Sequence, residues 1–328
     1  MDDIFFIAEI GVNHDGDLMR AKSLVKQCAD LGVNAVKFQH FYTDEIVSEQ
    51  AELADYQKDN TDFDSQYEMV KKLELTDEEM KQLSEYCDSL SLEFMATPFC
   101  VRSLDYLVTE CNLKRVKIGS GEVINLKLLR AIGSYGLPII LSTGMCRDLE
   151  IEIAINELCL GYIDSLSTLE MTHADVLVHL DLFKKNISIL HCTTEYPCPP
   201  DEACLNEISR YRSKFESHVI GYSDHTLGVE SALIASGLGA MIFEKHVTDD
   251  VARPGPDHSA SLAIEDISIY LDTINLGKSM TLGAPDSLTS SEMRNAAVAR
   301  RSLHKADSGF KLQRPYSGLS AYFEASYD

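Results

Sequence analysis

HVIGYSDHTLGVESALIASGLGAMIFEKHVT, residues 218–248, reads as a strand, a helix and a second strand within one short span. The run 218–223 is apolar and of strand length, 228–238 is helix-like, and 240–246 is apolar again. The first strand runs into Asp224 and His225, and the second closes on Glu244 and His246. One such unit fits an open doubly wound sheet as well as a closed barrel. The number of repeats decides between them.

The same rhythm continues upstream. IFFIAEI (4–10), NAVKFQ (34–39), LEFMAT (92–97), RVKIGS (115–120), PIILST (138–143) and ISILHC (187–192) are further strand candidates. Helices are expected over 18–31, from Thr76, over 102–110 and 125–134, from 148, and over 201–215, with 264–275 after the last strand. Leu18, Ala21, Leu24, Val25, Cys28 and Leu31 keep the 3.6-residue period, and Thr76 can cap ahead of Asp77, Glu78 and Glu79. Residues 41–75 read as a long polar excursion, and 158–183 as an elaborated fifth helix with a surface insertion. Eight strand–helix units in about 275 residues predict a (β/α)8 TIM barrel over 1–280, with 281–328 left as a linker and short arm. An open sheet usually carries G-x-G-x-x-G after its first strand, and GVNHDGD (11–17) is not that motif.

Composition narrows the partners. The 328 residues are 45% hydrophobic, and 29 Lys plus Arg face 52 Asp plus Glu for a formal charge of -23. Nucleic acid and anionic membranes both want a cationic face, so neither is an expected partner. An anionic metabolite is still admissible, because a few inward lysines make a local positive pocket. Nine scattered cysteines form no C-x-x-C pair and read as the reduced thiols of a cytoplasmic protein. MDDIFFIAEIG lacks the basic region and cleavage site of a signal peptide, and no run reaches transmembrane length.

In a barrel the C-terminal strand ends converge on one open face, where polar residues become candidates for chemistry. This chain has such residues at nearly every end. They are Glu9, Lys37 with Gln39, Thr97, Lys117 with Ser120 and Glu122, Ser142 with Thr143, His191 with Thr193 and Thr194, Ser223 with Asp224 and His225, and Glu244 with His246. Each has a plain structural reading as well. Strand-end hydroxyls cap helices, Glu9 can pair with Lys37, and Thr97, Thr143, His173 and His218 are most simply structural. The whole set exceeds what packing asks for.

Lys37 and Lys117 sit inside the apolar runs AVKFQ and RVKIGS, where an unpaired lysine is costly. Two inward lysines from nearly opposite strands would cradle a carboxylate and a phosphate. Ser120, Ser142 and Ser223 add neutral donors, and Gly119 and Gly121 let backbone N–H groups approach the same anion. His225 and His246, on neighbouring strand ends with Asp224 and Glu244 close by, can share a divalent ion. Water and substrate oxygens would fill its other positions.

Seven stretches occur in order over residues 4–265: FFIAEIGVNHDGD, NAVKFQ, KIGSGE, PIILSTGM, LHCTTEYPCPP, GYSDHTLG, and EKHVT with GPDHSASL. Together they resemble the bacterial sialic acid (N-acetylneuraminate) synthase family, which includes legionaminate and pseudaminate synthases. The resemblance implies condensation of phosphoenolpyruvate with an open-chain N-acylated hexosamine, either N-acetylmannosamine or a 2,4-diacetamido analogue. Phosphate would leave by C–O cleavage. It also implies a divalent metal on His225 and His246, Mn2+ or another such as Mg2+ or Co2+. By motif, Lys37, Lys117, Ser120, Ser142 and Ser223 fall where the family holds phosphoenolpyruvate. Glu9, Gln39, Glu122, Tyr196 and Asp257 fall where it holds the sugar. Thr194 stands where some members place an Asn that helps bind phosphoenolpyruvate, and its hydroxyl can donate only one hydrogen bond. In that chemistry the metal polarises the aldehyde, C3 of phosphoenolpyruvate attacks it, and water quenches the charge at C2. Glu122, on the loop after Lys117 and Ser120, is the expected base for that water, with Glu9 next in line.

The C-terminal end departs from the family pattern. Members typically add a small domain resembling type III antifreeze protein, which reaches across a homodimer to place an arginine on the partner's sugar amide. RRSLHKADSGFKLQRPYSGLSAYFEASYD (300–328) resembles a shortened linker and the start of that domain, so the expectation is a missing or truncated one. Arg301 and Arg314 are candidate substitutes for the arginine. Phe310, Leu312, Tyr316, Leu319, Tyr322 and Phe323 load the arm with apolar surface, which together with the resemblance points to a homodimer.

Two other readings use the same residues. One is another phosphoenolpyruvate- or pyruvate-dependent aldol-type synthase or Schiff-base aldolase on this barrel, which in the aldolase case needs one lysine as nucleophile. The other is a non-catalytic binding protein. Which amino sugar is taken depends on loops whose register the sequence does not give.

Overall fold

The computed structural model describes residues 3–53, 63–167, 171–283 and 286–314. The chain divides into two compact units, Met1–Ser279 and Met280–Asp328. In the first, eight strands alternate with helices: β1 Phe5–Gly11, β2 Ala35–His40, β3 Glu93–Pro98, β4 Val116–Ile118, β5 Ile139–Ser142, β6 Ile187–His191, β7 Val219–Asp224 and β8 Ile242–Thr248. The hydrogen-bonded order is β3-β2-β1-β8-β7-β6-β5-β4, parallel throughout. Because β8 pairs back onto β1, with Glu9 opposite His246, the sheet curls round on itself. β3 and β4 lie side by side at the seam, which leaves a nearly closed barrel ringed by helices. This is the (β/α)8 architecture that the repeat count predicts.

Local chemistry explains where the helices start. The Asp17 side chain accepts from the Met19 and Arg20 N–H groups and caps Leu18–Asp30, which buries Ala21, Leu24, Val25 and Cys28 against the sheet. At Thr76 the expected start is a capping box with Glu79, and the helix runs Asp77–Ser89. Two stretches differ from expectation. The supposed polar excursion holds helices Thr43–Ile46 and Gln66–Leu73, and Phe41, Leu53, Met69 and Leu73 pack with Val12 into an apolar cluster. The elaborated fifth helix is two helices, Asp148–Leu166 and His173–Lys185.

Strand alternation builds the barrel interior in layers. Ile7, Ala35, Met95, Ile140, Leu190 and Ile242 form an apolar floor. Two residues further along those strands stand Glu9, Lys37, Thr97, Ser142, Cys192 and Glu244, so one more pleat turns the interior polar. Gly221 occupies the floor position on β7, and a Cβ there would meet Ile242 O and Leu190 Cδ2 at 2.4 Å. Residues of opposite parity, such as Phe6, Ala8, Val36, Phe38 and Phe243, pack in the shell beneath the helices.

The second unit contains helix Ser290–Ala299, capped by Thr289 with Glu292, and an antiparallel hairpin of Ser302–Ala306 with Gly309–Gln313. Tyr316, Leu319, Tyr322 and Phe323 lie outside the described residues. No helix among the described residues is long and apolar enough to cross a membrane.

Candidate active site

The polar layer is an ionic cluster. Lys37 Nζ lies 2.5 Å from Glu9 Oε2 and 3.7 Å from Glu244 Oε2, and donates to Thr97 Oγ1 at 3.3 Å. Lys117 Nζ lies 3.3 Å from Glu244 Oε1 and donates to Ser142 Oγ at 2.7 Å. Ser223 Oγ donates to Glu244 Oε1 at 2.8 Å. All four charged residues are at most 5% exposed. Two ammonium and two carboxylate groups cancel formally, and without that pairing burial would cost several kcal/mol per ion, about 3–5 kcal/mol for one partner removed. Burial alone would raise the Glu244 carboxyl, but Lys117, Lys37 and the Ser223 hydrogen bond hold it down at about 2. Burial also opposes the charge on Lys37, yet Glu244 and Glu9 prevail and its pKa is raised. Lys117 is lowered, by burial first and by Lys37 beside it, against the pull of Glu244. The two lysines are not on nearly opposite strands, since β3 alone separates β2 from β4. They meet because both reach inward toward Glu244 of β8.

Above this cluster stand the two histidines. His225 Nδ1–H donates to the Thr193 carbonyl at 2.6 Å, which leaves Nε2 as the lone-pair nitrogen. Ser223 Oγ is 3.3 Å from that nitrogen, but its single proton is directed to Glu244. Burial and the neighbouring His246 push His225 down to about 4, so its ring is neutral near pH 7. His246 Nδ1 is buried without a hydrogen bond, and the Asp257 carboxylate is 3.5 Å away. The ring centroids are 5.8 Å apart, and Tyr196 packs against both rings. Among the described residues no group of three or more His, Cys, Asp and Glu is placed to hold a metal. The observations that would suit a cation are the His225 Nε2 lone pair and the orphaned, buried His246 Nδ1, with water or substrate oxygens completing the shell.

Both features open into one cavity of about 540 Å³. Its walls include Glu9, Lys37, Gln39, Lys117, Ser120, Glu122, Ser142, Thr194, Tyr196, Ser223, His225, His246 and Asp257, so every site residue assigned from the sequence is brought together. Glu122 ends a short 3-10 turn, and Asn125 Nδ2 donates to its Oε2 at 2.7 Å while Asn125 Oδ1 caps the following helix. Ser120 Oγ lies 3.4 Å from Thr194 Oγ1.

The profile of the NeuB family matches residues 24–281. The chain is a member of the NeuB family. The N,N'-diacetyllegionaminic acid synthase of Legionella pneumophila is 40% identical over 300 residues, 91% of this chain and 79% of that one. Its namesake from Campylobacter jejuni is 37% identical over 332 residues, 98% of this chain and 93% of that one. Among solved structures, the N-acetylneuraminic acid synthetase of Leptospira borgpetersenii in complex with citrate is 30% identical, covers 90% of both chains, and superposes with a TM-score of 0.73. As a NeuB-family member this chain is an enzyme, a phosphoenolpyruvate-dependent synthase forming a nonulosonic acid.

Several polar strand-end residues of this NeuB-family enzyme lie away from the cavity. Asp224, grouped with the histidines on sequence, faces outward and accepts from Thr226 N and Oγ1, Tyr270 OH and Lys245 Nζ. His191 Nε2 bonds the Ala203 carbonyl, Thr193 Oγ1 that of Glu202, Thr143 Oγ1 that of Leu190, and His218 Nδ1 that of Ile187. His173 is exposed on its helix. Arg301 and Arg314 belong to the second unit, where Arg314 Nε donates to the Ala299 carbonyl. Sequence reading undervalued Glu244, the hub of both lysines, although its place two residues before His246 puts the two on one face. It missed Cys192 and the apolar lining from Val12, Phe41, Met69 and Phe99.

Proposed function

We propose that this enzyme condenses phosphoenolpyruvate with an open-chain N-acylated amino sugar and water, giving a nonulosonic acid and phosphate. The observation that supports this most is the Lys37–Glu244–Lys117 cluster beneath the rings of His225 and His246 in one cavity. It is a seat for a small polyanion beside a seat for a carbonyl oxygen. The Legionella and Campylobacter relatives are named for N,N'-diacetyllegionaminic acid, which favours a 2,4-diacetamido sugar over N-acetylmannosamine. Reduced thiols and acidic charge fit a cytoplasmic setting, and a homodimer is our reading of the assembly.

A divalent cation, Mn2+, Mg2+ or Co2+, held by His225 and His246 would supply Lewis acidity toward the aldehyde oxygen. The chain's own residues do the rest. Lys37 and Lys117 exchange carboxylate partners for substrate phosphate and carboxylate oxygens, with Ser120, Ser142, Ser223 and Thr194 adding neutral donors. Holding the anion there aligns C3 with the aldehyde carbon. Glu9, Gln39, Tyr196 and Asp257 hold the sugar. As the C3–aldehyde bond forms, positive charge develops at C2 and water adds to it. Glu122, aimed by Asn125, takes the proton of that water. The resulting tetrahedral phosphate ester then releases phosphate by C–O cleavage.

Phosphate release from phosphoenolpyruvate, assayed across a panel of such sugars with mass identification of the product, tests this reading. A nonulosonic acid formed in step with phosphate is the expected result. Phosphoenolpyruvate left intact with every sugar would remove the proposal.

A further inference from the structure

Asp257 enters the cavity from the loop 249–261, eleven residues past His246, yet its Oδ2 stands 3.5 Å from His246 Nδ1. A surface loop of that length does not hold a carboxylate in place by itself. The GVNHDGD loop after β1 supplies the ties. Asn13, fully buried, donates from Nδ2 to the Val247 carbonyl at 2.9 Å and to Ser261 Oγ at 2.8 Å. Ser261 Oγ donates in turn to the Asp257 carbonyl at 2.6 Å, so one amide links the residue after His246 to Asp257. Asn13 Oδ1 is buried without a hydrogen bond, and what this side chain contributes is its N–H groups. His258, also fully buried, is the second tie: Nε2–H donates to Asp15 Oδ1 at 3.0 Å, and Nδ1 lies 2.8 Å from Thr248 Oγ1. The loop lies directly on that ring, since a Cβ on Gly255 would come 2.6 Å from His258 Cδ2.

We infer that Asn13 and His258 are positioning residues, which lock the loop after β8 so that the Asp257 carboxylate faces His246 where the sugar is held. The inference deepens the synthase reading above and rests on it. Neither residue lines the cavity, and neither do Asp15, Thr248 and Ser261, so they act on the reaction only through what they hold. Packing alone does not account for them, because an apolar side chain at either place would spare the desolvation of a buried amide or imidazole. Placement does account for them: a shift of about 1 Å in a group that aligns substrate can cost about 10²-fold in rate.

Initial rates of phosphate release would be measured on the full chain with phosphoenolpyruvate, Mn2+ and a 2,4-diacetamido hexose, for Asn13→Ala and His258→Ala in the wild-type and the Asp257→Ala backgrounds. Each change in the wild-type background should lower kcat/KM for the sugar about 10–100-fold, while KM for phosphoenolpyruvate stays within about twofold. With Asp257 already alanine, neither should cost anything further, because no carboxylate is left to place. His258→Gln, which keeps an N–H for Asp15, should lose less than His258→Ala, and it carries the same cycle if the alanine variants do not fold. Losses that multiply across the two backgrounds, an equal rise in the phosphoenolpyruvate KM, or rates unchanged by every variant overturn the inference and leave the synthase reading standing. No phosphate from the wild-type chain across the sugar panel overturns both.

Discussion

Glu122 separates binding from chemistry. Its contact with Asn125 orients it without neutralising it, and it shares the cavity with the lysines without touching them. Glu122→Gln should therefore keep phosphoenolpyruvate and metal affinity but lower turnover by about 10²-fold or more. Single-turnover phosphate release with both substrates saturating checks this. A wild-type rate would move the role to Glu9, and a rise in sugar KM alone would make Glu122 a binding residue. The histidines call for a different measurement. His225→Ala and His246→Ala should each weaken Mn2+ binding in calorimetric titration while the fold persists. Unchanged affinity in both would return them to structural roles.

Across an element, parity decides which residues reach the site. On β7 and β8, Ser223, His225, Glu244 and His246 point inward, while Asp224 and Lys245 pair outward at 2.9 Å, almost fully buried. Lys245 also donates to the Thr226 carbonyl at 2.6 Å, so this clasp ties together the two strands that carry the histidines. Lys245→Met leaves Asp224 without its cation and should cost about 3 kcal/mol or more of stability in urea unfolding. A change below about 1 kcal/mol would show that the hydrogen bonds from Tyr270 and Thr226 suffice. Parity was also the part of the site that the sequence disclosed incompletely. Reading strand ends as polar found the residues assigned to the cavity except Tyr196 and Asp257, which came from the family resemblance, yet it pooled Ser223 with Asp224, because a turn can shift which side a terminal residue takes. The apolar lining was hidden for another reason. In 41–75 charged and polar residues outnumber the apolar ones, these follow no single period, and their partners Val12 and Phe99 lie just past the ends of β1 and β3. The barrel itself was plain, because eight repeats of strand and helix leave few other ways to close a sheet.

At the scale of the whole molecule, buried imidazoles set the response to acid. Burial lowers His14 to about 4, and it also lowers His40, His191 and His218 from the usual histidine value. The unfolded chain therefore takes up protons first, near pH 6.5, and the folded state is penalised as pH falls from there, for His14 down to about 4. Stability should drop between pH 7 and 5 by up to about 1.4 kcal/mol per pH unit for each such histidine, before most carboxylates titrate. Urea midpoints across that range check it, and a flat profile would mean that these rings take up protons in the fold as readily as in the unfolded chain. Above all stands the reaction. Phosphoenolpyruvate labelled with 18O in its C–O–P bridge, turned over with a 2,4-diacetamido hexose, tests the central claim most directly. Product and phosphate should appear in equal amounts, with the label in phosphate. Label retained in the nine-carbon acid, or phosphate formed without that acid, would contradict it.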